Sequence, residues 1–173
     1  YDAKGLLASS IKDENPVVFI EDRWLHRFES HVPEALYEIP LGQANVVREG
    51  VDVTLVSSSY MTNLAVEAAD RLSSENINVE VVDLRTIKPL DTETIIESVK
   101  KTGRLVVADG TWKSFGVSSE ILASVFEAVG GSLKCSPVRV CLPDAPAPAS
   151  RQLEKAYYPD TGNIIDAIKK MVS

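Results

Sequence analysis

The sequence predicts an α/β fold with three layers, in which helices cover both faces of a mainly parallel, open sheet. The first reason is that short apolar strands alternate with amphipathic helices from residue 52 to the end of the chain, which is the pattern of βαβ units. The second reason is the predicted strand "RLVVAD" at residues 104–109. It is almost wholly apolar, as expected of a strand that is buried on both faces.

Composition narrows the classes of function. The 173 residues are 45% apolar and 25% charged, which is ordinary for a globular protein and argues against disorder. A formal charge of −7 disfavours nucleic acid and anionic membranes as partners, because both require a basic surface. Cys135 and Cys141 are too few for a disulfide framework, so we expect a reducing compartment: the cytoplasm, or the mitochondrial matrix in a eukaryote.

The first 43 residues are predicted to differ from the rest of the chain. A helical pattern over residues 2–13 has one face formed by Leu6, Leu7, Ser10 and Ile11. The segment "NPVVFIED", residues 15–22, is predicted to be a short strand. One helix and one strand are too few to fold alone and the chain begins at Tyr1, so we expect residues 1–22 to be the end of a domain that lies mostly outside it. Residues 23–43 are predicted to be an extended linker.

Residues 44–173 form the regular α/β part of the prediction. In chain order the predicted elements are two strands within residues 44–58 joined by a tight turn at residues 48–50, a helix at 61–76, a strand at 77–84, a helix at 90–103, the strand at 104–109, a helix at 115–131, a strand at 137–143 and a helix at 163–172. The helix at 90–103 has the clearest end signals: Asp91 at the N-cap position, Lys100 and Lys101 in the last turn, and Gly103 where the chain leaves.

Dinucleotide binding is one hypothesis that a parallel sheet raises, because ligands bind at the carboxyl ends of its strands. Asp83 ends a predicted strand, where an acid would bind a ribose. The first strand-to-helix turn, "SSSYMTN" at residues 57–63, contains no glycine and therefore lacks the G-x-G-x-x-G fingerprint. We interpret its serines as helix caps.

The turn "DGTWKSFG", residues 109–116, is a candidate interface. It places Trp112 and Phe115 between two glycines, directly after a buried strand and before a helix. An aromatic pair on such a loop is typical of a contact with a partner protein. The alternative is that both rings fold back over the core as a lid.

Other catalytic motifs are missing from the sequence. His26 and His31 are not on one helical face, and no acid or cysteine cluster completes a metal site around them. Cys135 and Cys141 do not form a C-x-x-C redox motif, and Cys141 is predicted to be a buried packing residue. With no G-x-S-x-G elbow and no Walker loop either, the residues indicate an α/β module without a self-contained active site.

The chain resembles the C-terminal half of the beta subunit of thiamine-diphosphate-dependent 2-oxoacid dehydrogenases, the pyruvate, branched-chain and acetoin enzymes of the transketolase superfamily. The resemblance spans nearly the whole chain and rests on blocks in the family's order, among them "IPLGQANVVREG", "DLRTIKPLD", "SVKKTGRLVV", "FGVSSEILA" and "LPDAPAPAS". It implies three regions: residues 1–22 as the tail of a pyrimidine-binding domain, 23–43 as a linker, and 44–173 as a transketolase C-terminal-like domain.

The resemblance also implies a division of labour within an α2β2 enzyme. The complete enzyme decarboxylates a 2-oxoacid oxidatively and transfers the acyl group to lipoyl groups. Thiamine diphosphate and magnesium are bound at the subunit interface, with the metal and diphosphate site supplied by the alpha subunit. The catalytic residues of the beta subunit lie outside the matched blocks, so no catalytic or cofactor-binding residue is assigned to this chain. Its expected roles are dimerisation of beta chains, contact with the alpha subunit and docking of the dihydrolipoyl acyltransferase core.

A monovalent cation site is also implied, since the turn that matches "SSIKDEN" binds potassium in some family members. The matching residues are Ser10, Asp13 and Asn15. The alternative is a plain Asp/Asn turn between a helix and a strand.

Two further interpretations stay open. The chain could instead be the C-terminal domain of a transketolase or a deoxyxylulose-phosphate synthase. Outside enzymes, it could be a freestanding nucleotide-binding or regulatory α/β module.

Overall fold

The computed structural model of the chain describes residues 1–172 and confirms the three-layer α/β fold. Its helices are α1 (Asp2–Lys12), α2 (Tyr60–Ser73), α3 (Thr92–Thr102), α4 (Val117–Val129), α5 (Arg151–Tyr157) and α6 (Thr161–Val172). Its strands are β1 (Asn45–Arg48), β2 (Val53–Ser57), β3 (Val79–Asp83), β4 (Leu105–Trp112) and β5 (Val138–Leu142). Short 3-10 helices lie at Arg23–Arg27 and Gly130–Ser132.

The five strands form one sheet in the order β1-β3-β2-β4-β5. Three of the strand pairs are parallel: β3 with β2, β2 with β4, and β4 with β5. The fourth pair, β1 with β3, is antiparallel. All five residues of β2 are buried, because helices cover both faces of the sheet at its centre. Most buried residues of the central strands are therefore Val or Leu, and the polar Thr54, Ser57 and Glu80 are buried among them.

Each face of the sheet has its own apolar core. One core joins the sheet to α2 and α6, with Leu72, Ile164 and Ile168 fully buried in it. The other core joins the opposite face to α3 and α4, with Ile95, Val99 and Ile121 buried. Helix α2 faces the sheet with Ala68 and Leu72, which have no exposed surface.

The predicted hairpin at residues 44–58 is wrong, although both of its strands exist. Strands β1 and β2 do not pair, because β3 lies between them. The connection is close to β3 at Gly50, where a Cβ atom would lie 2.3 Å from the backbone nitrogen of Glu80. Only glycine fits there, so this residue marks a close approach between backbones rather than a tight hairpin turn.

The end signals of α3 are confirmed. The Asp91 side chain accepts a hydrogen bond from the backbone N–H of Thr94 at 3.0 Å and another from Ala44 at 2.9 Å. Gly103 leaves the helix in the left-handed region, with φ of 73°. Asp91 therefore caps the helix and also holds the chain at the start of β1.

The predicted strand at residues 15–22 is wrong for this chain. These residues are extended but pair with no strand among residues 1–172, and Val18 and Ile20 are each 85% exposed. The predicted face of α1 is also mostly uncovered, since Leu6 is buried while Ile11 is 75% exposed. A strand needs a neighbour to accept its hydrogen bonds, and here the described residues supply none.

Helix α1 is nevertheless docked on the segment that follows it. The Ser9 hydroxyl donates to the Ile39 carbonyl at 2.6 Å, and the backbone N–H of Ile39 donates to the Gly5 carbonyl at 3.2 Å. The Lys4 ammonium donates to the carbonyls of Glu34 and Ala35, both at 3.0 Å. The predicted extended linker, residues 23–43, is therefore packed against α1 over part of its length. Its first residues form the 3-10 helix Arg23–Arg27.

A buried acid on β3 is satisfied by α3. Glu80 is 2% exposed, forms an ion pair with Lys101 and accepts a hydrogen bond from the backbone N–H of Gly50 at 3.3 Å. Burial raises the pKa of Glu80, but the hydrogen bonds, led by the one from Lys101, outweigh burial and bring the pKa below its ordinary 4.5. The same contact raises the pKa of Lys101.

We predict that Lys101→Ala lowers the free energy of unfolding by about 1–3 kcal/mol, because it leaves a buried carboxylate without its cation. The variant Lys101→Ala with Glu80→Gln should recover part of the loss, since the remaining group is neutral. Lys100→Ala is the matched control; its ion pair with Glu97 is exposed and should be worth less than about 0.5 kcal/mol. Urea denaturation would measure all three, and equal losses for the two lysines would contradict the role given to Glu80.

Candidate functional site

The carboxyl edge of the sheet is the first candidate site, because the loops after β2, β3 and β4 meet there. Each loop contains a residue other than glycine with positive φ: Ser59 at 57°, Arg85 at 56° and Phe115 at 59°. Such residues cost of order 1 kcal/mol or more each, and they concentrate at functional positions. Each of these three loops makes contacts with residues that are distant in sequence.

The serine-rich turn after β2 binds the N-terminal segment. The Ser59 hydroxyl donates to the Asp22 carboxylate at 3.1 Å, and the Tyr60 ring lies 5.5 Å from the ring of Trp24. Ser59 occupies the N-cap position of α2 but its side chain makes no cap hydrogen bond. The interpretation of this serine as a helix cap is therefore wrong, because its hydroxyl is used by a residue distant in sequence.

The loop after β3 is also occupied by the N-terminal segment. The Asp83 carboxylate accepts from the backbone N–H of Arg85 at 3.2 Å, and the Arg85 guanidinium pairs with Asp2 of α1 at 2.9 Å. Burial raises the pKa of Asp83, and the nearby charge of Asp2 adds to the rise. The carboxylate of Asp83, the residue considered for ribose binding, therefore binds the backbone of its own loop. The N-terminal segment lies at the edge where an open sheet usually binds a ligand.

The aromatic turn after β4 is built on a buried acid. Asp109 is 3% exposed, and its carboxylate accepts from the backbone N–H of Thr111 at 3.1 Å and of Ser118 at 3.0 Å. A Cβ atom on Gly116 would lie 2.4 Å from the Thr111 hydroxyl, so the turn closes only with glycine there. The Asp109 carboxylate thus joins the two ends of the turn.

The two aromatic residues of this turn have different environments. The indole N–H of Trp112 donates to the Ala145 carbonyl at 3.1 Å and to the Tyr157 hydroxyl at 3.0 Å, although the residue is 54% exposed. Phe115 is fully exposed. Trp112 therefore joins the turn to α5, while Phe115 does not cover the core.

Asp144 holds the tip of the aromatic turn from the loop after β5. Its carboxylate accepts from the backbone N–H of Ser114 at 3.0 Å and from the Ser114 hydroxyl at 2.8 Å. The backbone hydrogen bond from Ser114, followed by the hydroxyl bond, lowers the pKa of Asp144. The strained Phe115 is thus fixed next to a polar clamp.

The predicted cation turn follows α1. The Asp13 carboxylate accepts from the backbone N–H and side-chain amide of Asn15, at 2.8 and 3.0 Å, and the Ser10 hydroxyl donates back to the Leu6 carbonyl at 2.7 Å. Both hydrogen bonds from Asn15 go to Oδ1 of Asp13, so Oδ2 of Asp13 and the backbone carbonyls at the end of the helix are left to face an ion. Among residues 1–172 no group of three or more His, Cys, Asp or Glu could hold a metal.

The histidines and cysteines have separate, unrelated surroundings. His26 lies 3.7 Å from Glu21 at the surface, and His31 is exposed. Cys141 is half-buried with its sulfur 3.4 Å from the Ser118 hydroxyl, and burial raises the pKa of its thiol. No helix within residues 1–172 combines the length and apolarity needed to cross a membrane.

Similarity to known proteins identifies the family of this chain. The family described as the transketolase C-terminal domain matches residues 42–164, which is more than half of the chain. The chain belongs to this family. The match begins close to β1, so the transketolase C-terminal domain accounts for the whole sheet.

Curated relatives extend the similarity beyond that domain. The chain is 45% identical over 170 residues to the beta subunit of acetoin:2,6-dichlorophenolindophenol oxidoreductase from Cupriavidus necator, covering 98% of this chain and 50% of that protein. It is 45% identical over 170 residues to the pyruvate dehydrogenase E1 component subunit beta of Rickettsia felis, covering 98% and 52%. For the same subunit of Bacillus subtilis the identity is 42% over 173 residues, covering 99% and 53%.

A solved structure supports the fold, and its coverage shows how much of a longer protein this chain matches. The structure titled "Split gene transketolase, inactive beta4 tetramer" superposes with a TM-score of 0.66 at 30% identity, covering 83% of this chain and 47% of that one. The chain spans about half the length of the curated relatives it matches.

The sequence has no local signal for the contacts that cover the carboxyl edge of this transketolase C-terminal domain. Arg85 has positive φ without being Gly, Asn or Asp, and its partner Asp2 is 83 residues away. Helix α5, which begins at Arg151, was also missed, since its seven residues give less than two turns of apolar periodicity. The residue pattern and the family resemblance both assigned residues 1–22 to a neighbouring domain, and neither indicated their contacts with this one.

We predict that Asp83→Asn raises the free energy of unfolding at pH 7 by about 1 kcal/mol, because the ionised form is disfavoured by burial. Since the folded pKa of Asp83 is raised above 3.8, its charge weakens folding as pH rises through that folded pKa. The gain from the substitution should therefore shrink as the pH falls toward 3.8.

Asp91→Asn is the control for this measurement and should have the opposite sign at pH 7. Burial raises the pKa of Asp91, but its hydrogen bonds, led by the one from Thr94, leave that pKa lowered overall. Its charge thus favours folding above pH 3.8, and this contribution is lost as pH falls. Denaturant titrations between pH 4 and 8 would test both variants, and a loss of stability for Asp83→Asn at pH 7 would contradict the argument.

Proposed function

We propose that the chain is the C-terminal, subunit-association part of the beta subunit of a thiamine-diphosphate-dependent 2-oxoacid dehydrogenase. The observation that supports this most is the 45% identity to beta subunits over 98% of the chain, including the residues before the transketolase C-terminal domain. The relatives at this identity act in acetoin and pyruvate chemistry, according to their names. The complete enzyme would decarboxylate a 2-oxoacid oxidatively and pass the acyl group to a lipoyl group.

The contacts at the carboxyl edge support a division of labour between this chain and the rest of the enzyme. We found the N-terminal segment on that edge through Asp2, Asp22 and Trp24, at the place where an α/β sheet usually binds its ligand. This supports the proposal that thiamine diphosphate and magnesium are bound by the complete enzyme and not by this chain alone. The chain by itself should be inactive.

Residues 1–22 are proposed to be the tail of a pyrimidine-binding domain, residues 23–43 a linker and residues 44–173 the association domain. The extended, unpaired residues 15–22 support this, because their exposed Val18 and Ile20 would become buried if a further sheet accepted them as a strand. The proposed partners are a second beta chain, the alpha subunit and the dihydrolipoyl acyltransferase core. The proposed location is the cytoplasm, or the mitochondrial matrix in a eukaryote.

Phe115 and Trp112 are the proposed partner contact of the aromatic turn. Phe115 is fully exposed, and its positive φ carries a backbone cost that no burial of its ring offsets in this chain. A partner that covers Phe115 would add a buried apolar contact, with Trp112 beside it. This supports an interface role over a lid role.

The decisive experiment is a chimeric beta subunit. The segment of the Bacillus subtilis subunit that aligns over 173 residues is replaced by this chain, and the product is expressed with its own alpha subunit. We expect assembly and decarboxylation of pyruvate within about tenfold of the parent rate, since the catalytic residues stay in the parent part.

The matched control places the same chain in a transketolase, because the solved relative at 30% identity carries that name. Activity of the transketolase chimera with an assembled but inactive dehydrogenase chimera would favour the transketolase alternative. A dehydrogenase chimera that folds but does not bind its alpha subunit would contradict the proposed function.

The turn at Ser10, Asp13 and Asn15 is proposed to bind a monovalent cation such as potassium. Backbone carbonyls at the end of α1 and the oxygen of Asp13 are the hard donors that such an ion accepts, and the helix end has negative polarity.

We predict that replacing potassium by tetramethylammonium at equal ionic strength lowers the melting temperature by about 3–6 °C. Asp13→Ala should abolish the difference between the two salts. Glu14→Ala, which removes a neighbouring acid outside the proposed set, should keep it. Equal melting temperatures of the unsubstituted chain in both salts would show that the turn does not bind the ion.

A further inference from the structure

Strand β5 is an edge of the sheet whose outer side pairs with no strand among residues 1–172. The Leu142 carbonyl accepts from the backbone N–H of Lys113 at 3.0 Å, so the backbone of Leu142 points toward β4. Backbone direction alternates along a strand. The N–H and C=O groups of Arg139 and Cys141 therefore point to the open side.

A groove of about 520 Å³ runs along this open edge. All five residues of β5 line it, and α6 with the Tyr157–Tyr158 pair forms its other side. The two tyrosine rings meet edge to face with centroids 5.0 Å apart, so this wall is a packed aromatic surface. Because the groove follows the open strand, an extended peptide in it would lie beside the backbone of β5.

The groove is cationic although the chain is acidic. Lys113, Arg139 and Lys170 line it, against Asp166 as the one acid, in a chain with 25 acidic and 18 basic residues. None of the three cations forms an ion pair within the described part of the chain. The Arg139 guanidinium is held in place by the Lys113 carbonyl and the Ser119 hydroxyl, each at 2.7 Å.

We propose that the open edge of β5 binds an extended, acidic peptide segment of a partner protein, which adds to the sheet as a further strand. The backbone of Arg139 and Cys141 would supply the ladder hydrogen bonds, and the three cations would select for carboxylates on the peptide. This inference does not depend on the identity of the complete enzyme.

A second copy of this chain is a poorer occupant of the same edge. Pairing two β5 edges about a twofold axis would bring the cationic groove of one copy against that of the other. Like charges across paired strands are destabilising, and charged residues on an edge strand are a common way to prevent self-association.

The test uses the ¹⁵N-labelled chain and a synthetic seven-residue peptide that alternates acidic residues with valine. We expect saturable shifts of the Arg139 and Cys141 amide signals, with slower hydrogen exchange at both. The variant Lys113→Glu with Lys170→Glu should bind about tenfold more weakly, because both substitutions reverse an exposed charge. The control Arg23→Glu with Lys88→Glu changes the net charge equally, away from the groove, and should bind like the unsubstituted chain.

A peptide with N-methyl groups on alternate residues separates strand addition from simple charge attraction. It should lose at least about tenfold in affinity, since it cannot donate to the β5 backbone. Unchanged affinity of the methylated peptide, equal binding of a peptide with lysines in place of its acids, or no binding at all would overturn the proposal. Concentration-dependent shifts of the same amides without peptide would assign the edge to a second copy and overturn it as well.

Discussion

Burial of both faces of the sheet is the constraint on which the other features depend. Helices α2 and α6 cover one face, and α3 and α4 cover the other, so the central strands have no surface left for a ligand. Other molecules can reach the sheet only at its ends or its edge strands. The carboxyl ends are occupied by the N-terminal segment, held by Arg85 and Ser59. Among the described residues, the aromatic turn and the outer sides of the two edge strands, β1 and β5, remain open. The proposed partner contacts use the aromatic turn and the edge of β5.

Helix α3 is bound at its two ends to two different parts of the sheet. Its cap Asp91 also binds the backbone of Ala44, and its last turn supplies Lys101 to the buried Glu80. The antiparallel strand β1 and the central strand β3 are therefore held to the same helix at its two ends. A segment with so many structural contacts has little freedom to change for catalysis, which agrees with the absence of chemical motifs in it.

Much of the fold could be predicted because its signals are local. Alternating apolar strands and helices, the Asp91 cap and Gly103 each act within a few residues. The pairing of β1 with β3 could not be predicted, because two neighbouring strands in sequence most often pair and only Gly50 hints at the crossing. The contacts at the carboxyl edge lie beyond any local pattern, since Ser59 meets a residue 37 positions away. The resemblance predicted the family, which periodicity could not, because it compares whole blocks of sequence and not only the spacing of apolar residues.

The N-terminal segment has its polar and apolar residues in the reverse of the usual arrangement. Its polar residues, such as Asp2 and Asp22, bind the carboxyl edge, whereas its apolar residues Ile11, Val18 and Ile20 point into solvent. A segment that folds only to serve its own chain would bury the apolar residues and expose the polar ones. The reversed arrangement is the one expected under the proposal that polar contacts hold the segment to this domain while its apolar side packs on a neighbouring domain. The curated relatives are about twice as long as this chain, which agrees with the proposal that residues 1–22 belong to a neighbouring domain.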